Sequence, residues 1–116
     1  MAKVAITNTK LDLNSFADAN FVAGSTDGIT FDFKPDTEKL LLVFQNTAAA
    51  AGTVIVKAGN GIQGVADTDA HSIPASGISF AIVESGAFKN VSGDDKGKVV
   101  VVPSAATIKA CAIQLP

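Results

Sequence analysis

Between Leu40 and Lys57 the chain reads LLLVFQNTAAAAGTVIVK, two apolar stretches joined by four alanines, and this segment limits the fold more than any other. Alanine is the strongest helix former, yet a helix over Ala48 to Ala51 has about one turn, and nucleation makes so short a helix marginal. Leu40 to Phe44 is a continuous apolar run, as expected of a strand covered on both faces. Thr53-Val54-Ile55-Val56 is β-branched throughout, which favours strand over helix. The segment predicts an antiparallel hairpin whose connection is made of alanine.

The rest of the chain repeats this short-strand pattern. Ile29 to Lys34 alternates apolar with polar residues and ends at the turn pair Pro35-Asp36. Asn60-Gly61 is a tight-turn signal. Ile78 to Glu84 alternates again, with Ile78, Phe80 and Ile82 on one face, and Gly86 to Val91 is a short strand candidate. Ser92 to Gly97 is a polar turn, Lys98 to Val102 a strand stopped by Pro103, and Thr107 to Leu115 the last strand. Only Leu11 to Phe21 suits a short helical turn. Ala2 to Thr7 alternates as a strand does; residues 1–9 form either the first strand of the domain or an arm that pairs with a neighbour's sheet edge. Turn signals at intervals of roughly eight to twelve residues predict an all-β fold: a single-domain antiparallel β-sandwich over residues 1–116, jelly-roll or Ig-like, with about eight short strands and little helix.

Composition removes several function classes. With 116 residues the chain makes one domain and buries about 65% of its surface on folding, enough for a core without metal or disulfide support. All nine cations are Lys, all seven aromatics are Phe, and net charge is −2. Nucleic-acid binding calls for clustered cations and stacking aromatics, and glycan binding for exposed Trp or Tyr faces; both are disfavoured. The single cysteine, Cys111, excludes an intramolecular disulfide and reads as a small buried hydrophobe in ATIKACAIQLP. The N-terminal MAKVAITNTK has neither signal-peptide nor anchor character, and no run approaches about 18 apolar residues, so the expectation is synthesis in a reducing bacterial cytoplasm with no membrane association.

The chemistry-bearing clusters are sparse. On a strand Asp67, Asp69 and His71 would share a face and converge on a cation, but flanking glycines and Pro74 mark a solvated loop, and the further ligands of a calcium loop are missing. His71 is the only histidine, and no serine sits in a nucleophile elbow. Gly59-Asn60-Gly61-Ile62-Gln63-Gly64 fits G-x-G-x-x-G without the following helix that a dinucleotide site needs. The expectation is a protein without enzymatic activity, metal or cofactor. What remains is a weakly charged surface rich in Ala, Gly, Ser and Thr, suited to close packing because small side chains lose little rotamer freedom.

The stretch EKLLLVFQNTAAAAGTVIVKAGNGIQG (38–64), the segment Glu84-Ser85-Gly86-Ala87-Phe88 and the ending ATIKACAIQLP (106–116) resemble small tailed-phage and prophage head decoration, or capsid cement, proteins. The likeness runs from about Lys3 to Pro116 in order and spacing, on core and turn residues alone. It implies a virion structural protein on the capsid exterior, with the major capsid protein as partner and a homo-oligomer, a trimer among them, as a further association. The expected contacts are Val4 and Ile6 and the loop around Ile62, Val65 and His71. The alternatives are another virion component, such as a head-fibre base or tail protein, and a non-viral β-sandwich adhesion or ligand-binding module.

Overall fold

The computed structural model describes residues 3–32, 40–60, 66–82 and 88–115. In chain order the strands are β1 (Val4–Ile6), β2 (Asn8–Lys10), β3 (Val22–Ala23), β4 (Ile29–Asp32), β5 (Leu40–Asn46), β6 (Gly52–Val56), β7 (His71–Ile73), β8 (Ile78–Ala81), β9 (Lys98–Pro103) and β10 (Ile108–Gln114). One sheet has the order β1-β4-β9-β6-β7; the other runs β2-β10-β5-β8, with β3 joining β10 beside β2. The chain is the expected all-β sandwich, with ten described strands.

Alternation places the core. Phe31 and Ile29 of β4, Val99 and Val101 of β9, and Val54 and Val56 of β6 face Leu40, Leu42 and Phe44 of β5 and Ile108, Ala110 and Ala112 of β10. Phe31 and Phe44 meet edge-to-face across the sheets, centroids 5.9 Å apart at 88°. The continuous apolar runs sit where covering on both faces requires them. β9 and β5 are interior strands, and Val100 and Val43 on their outward sides are also buried.

The alanine connection is not a hairpin. β5 pairs with β10 and β8 in one sheet, while β6 pairs with β9 and β7 in the other, so Thr47 to Ala51 carries the chain between sheets. Both strands spend both edges on other partners. The crossing is held by Asn46, 1% exposed, whose Nδ2 donates to the carbonyls of Ala50, Ile73 and Pro74 and whose Oδ1 accepts from the Ala48 amide. A second arch, Pro74 to Gly77, carries the chain back from β7 to β8, and the Asn46 amide donates to the Gly77 carbonyl. The two arches stack through one buried side chain. A Cβ on Gly52 would come within 2.9 Å of Ile108 Cδ1, so a side chain at the end of the arch would have to push the buried Ile108 aside.

The N-terminus crosses the sheets too. β1 pairs in parallel with β4, and two residues later β2 pairs in parallel with β10, so the chain is a mixed sandwich and not a purely antiparallel one. Of the two arrangements open for residues 1–9, strand pairing within the domain is found for 4–10. Three local expectations also change. Leu11 to Phe21 has no helix; Asn14 adopts φ 58° and Ser15 Oγ donates to the Asp12 carbonyl, local bonding that competes with a helical turn. Within Gly86 to Val91 the described residues, from Phe88, form no strand; Asn90 instead bonds Lys98 and Gly97 around the polar turn. His71–Ile73, read as loop, is a strand because the fully buried Ile73 anchors it to β6.

Replacing Asn46 by alanine removes a buried donor shared by three carbonyls and the acceptor of the Ala48 amide. The expected loss is about 2–3 kcal/mol, read as a lower midpoint in urea at unchanged slope; an unchanged midpoint contradicts the assignment.

Candidate functional site

The sandwich opens along one side, where the edge strands β7 and β8 face each other. A cleft of about 240 Å³ lies there, with Phe44, Val54 and Val56 as its apolar floor and Thr68, Asp69, His71, Ser79, Phe80 and Ala81 around it. His71 Nε2 and Ser79 Oγ stand 3.1 Å apart across the mouth, joining β7 to β8 of the other sheet. The neighbouring backbone is fixed: Thr68 exchanges bonds with Val56, its amide donating to the Val56 carbonyl and its hydroxyl accepting from the Val56 amide.

The outward side of β8 carries the second feature. Ile78, Phe80 and Ile82 share one face, as the alternation predicts, but that face is exposed, Phe80 by 66%. The inward positions are Ser79 and Ala81, opposite Phe44 and Leu42. Bulky residues on β5 already fill the core at this level, so the edge strand has room only for small ones beneath it. Binary pattern gives the period of such a strand but not which face is inward. A third feature is the segment between β2 and β3, exposed from 12 to 20, where Leu13 and Phe16 stand out in solvent. Sequence reading passed over both; the signal available was large apolar residues amid Asp, Asn and Ser.

The expected contact residues divide. Ile6 is 3% exposed and belongs to the core, and Val4 is half-buried against it, because pairing with β4 turns both inward. Ile62 and Val65 lie outside the described residues. His71 is exposed at the cleft mouth. The Asp67–Asp69–His71 trio does not converge: Asp69 and His71 border the cleft, while the Asp67 carboxylate accepts from the Ala58 amide and Lys57 Nζ, both at 2.7 Å. Among the described residues no three His, Cys, Asp or Glu side chains are placed to hold a metal ion. Cys111 is 1% exposed, on the outward side of β10 opposite Val43.

A larger, more polar hollow of about 360 Å³ lies where the N-terminal segment changes sheets, lined by Ala5, Thr7, Asn8, Thr30, Asp32, Lys98 and Gln114 among others. Asn8 Nδ2 donates to the Asp32 carbonyl at 2.8 Å, and its buried Oδ1 has no protein partner among the described residues. That acceptor suits an ordered water. Protein-family models, curated proteins and solved structures offer no match to this chain.

The Ala58 amide, and then Lys57, hold the Asp67 carboxyl below its ordinary range. The stability this contributes is present above the ordinary carboxylate range and is lost as pH falls through the lowered native value. Asp67→Asn should therefore destabilise at neutral pH and lose that difference in strong acid, followed by thermal melts against pH; a pH-independent difference contradicts it. Burial pushes the Cys111 thiol up. Native protein should thus label with a disulfide reagent only as slowly as it unfolds, and immediately in denaturant; rapid native labelling would mean an accessible thiolate.

Proposed function

We propose that this protein is a non-enzymatic structural binding module, a virion component of the capsid-decoration kind that adheres to the outer surface of an assembled shell. The row Ile78, Phe80 and Ile82 carries this reading. A large apolar row on and just beyond the edge strand β8 costs solubility, and such patches on soluble domains mark contact with another macromolecule. Protein is favoured as that macromolecule because the nine Lys are scattered along the sequence, and the chain has no Trp or Tyr for sugar rings.

Shell reinforcement needs nothing beyond contact. A module that binds the expanded lattice and not its precursor stabilises the former by RT ln(1 + [L]/Kd) at each site. Repetition over many sites multiplies a modest contact, and bridging neighbouring subunits raises it further. The major capsid protein is the partner in this reading.

The test is co-sedimentation with expanded capsids and with unexpanded precursors of the parent phage. Retention on expanded particles alone is expected. Ile78→Asp combined with Ile82→Asp removes two exposed side chains whose burial in the contact is worth up to about 1.5–3 kcal/mol each, so binding should weaken by at least about tenfold while the fold persists. Binding to neither particle overturns the reading.

A further inference from the structure

β8 is bonded to β5 on one side only, and among the described residues no strand covers the other side. The bonding pattern of the pair is fixed by one bond beside the strand, from the Asn46 amide to the Gly77 carbonyl at 2.9 Å. Antiparallel partners exchange bonds at every second pair, so the bonded pairs that follow are Phe44–Ser79 and Leu42–Ala81. Ile78 and Phe80 fall in the alternate pairs, and their N–H and C=O groups point away from β5 to the open side. The same two residues, with Ile82, carry the exposed apolar row. Unpaired backbone and unburied side chains coincide on one stretch of chain. The other edges are blunted in the ways that keep sheets apart: Lys3 precedes β1, β2 ends in Lys10, β3 has two residues, and β7 runs into Pro74. Gly77 to Ile82 holds neither charge nor proline.

We infer that an extended segment of the shell protein adds to β8 as a further strand of its sheet, a mode of contact that rests on the shell reading above. Unpaired N–H and C=O groups along a strand edge are matched by another extended backbone and by no globular surface, which is what identifies the occupant. Bonds to Ile78 and Phe80 anchor the incoming strand. The row Ile78, Phe80 and Ile82 then selects apolar residues at alternate positions along it, since cross-strand neighbours on one face pack together. Without a charge between Gly77 and Ile82 to pair with, the segment is uncharged where it docks. A single short strand makes a small contact, so each copy holds reversibly and repetition over the lattice makes attachment durable.

Hydrogen exchange, resolved to single residues on the free chain and on the chain bound to expanded capsids, tests it. In the free chain the Ile78 and Phe80 amides should exchange fast and those of Ser79 and Ala81, bonded to β5, slowly; on the capsid all four should be slow. Phe80→Pro deletes the outward N–H and leaves the β5 ladder intact, whereas Phe80→Val keeps that N–H with a side chain of similar size. The proline variant should be retained on expanded capsids at least about tenfold more weakly than the valine variant, with both folded by circular dichroism. If Phe80→Pro fails to fold, the exchange comparison on wild type decides alone. Wild type retained with its Ile78 and Phe80 amides still fast, or the two variants retained equally, overturns this proposal and leaves the shell reading standing. Retention of wild type on neither particle overturns both. Protection of the two amides in the free chain that grows with concentration gives the edge to a second copy and also overturns the proposal.

Discussion

Two apolar faces meet in this protein at the edge-to-face contact of Phe31 and Phe44, and the remaining architecture is arranged so that the faces stay in register. The rings come from interior parts of different sheets, and aliphatic side chains of β9, β6 and β10 close around them. A chain of this size has one such core. The two sheets are tied at opposite ends by segments that cross between them: residue 7 between β1 and β2, and the stacked arches after β5 and β7. Each crossing fixes how the faces oppose one another, as a hairpin within one sheet would not.

Asn46 shows how one polar residue sets connectivity in an apolar interior. Its side chain serves two arches that are distant in sequence, and a buried amide with four partners is satisfied only in one arrangement. Because the arches stack, β7 and β8 descend side by side as edges of different sheets, and the cleft between them follows from that. The site candidates are thus products of the same constraint that closes the core.

Five of the exposed large apolar residues among those described fall into two groups. Ile78, Phe80 and Ile82 line one edge of a sheet, and Leu13 and Phe16 project from the other. Interior positions of β8 are small because β5 is bulky there, which leaves the large side chains of the strand in solvent. Packing inside and adhesion outside are linked through this one strand.

Much of the strand content was legible in the residues. The apolar runs at Leu40–Phe44 and Val99–Val102, the alternation at Ile29–Asp32, the polar turn at Ser92–Gly97 and the buried character of Cys111 all follow from local pattern, since period and β-branching act over a few residues. Partnership between strands did not. The alanine connection looks the same in sequence whether it turns within a sheet or crosses between two, and the choice depends on Asn46 finding carbonyls 27 and 28 residues away. Likewise Val4 and Ile6 read as a free arm or a first strand until β4 offered its edge, and the alternation in β8 left its inward face undetermined until Leu42 and Phe44 occupied the core. The amino-acid order alone determined that this chain is made of short strands around a single core. Only tertiary structure decided which strands are neighbours and which apolar faces remain outside, because those outcomes rest on contacts between residues far apart in the chain.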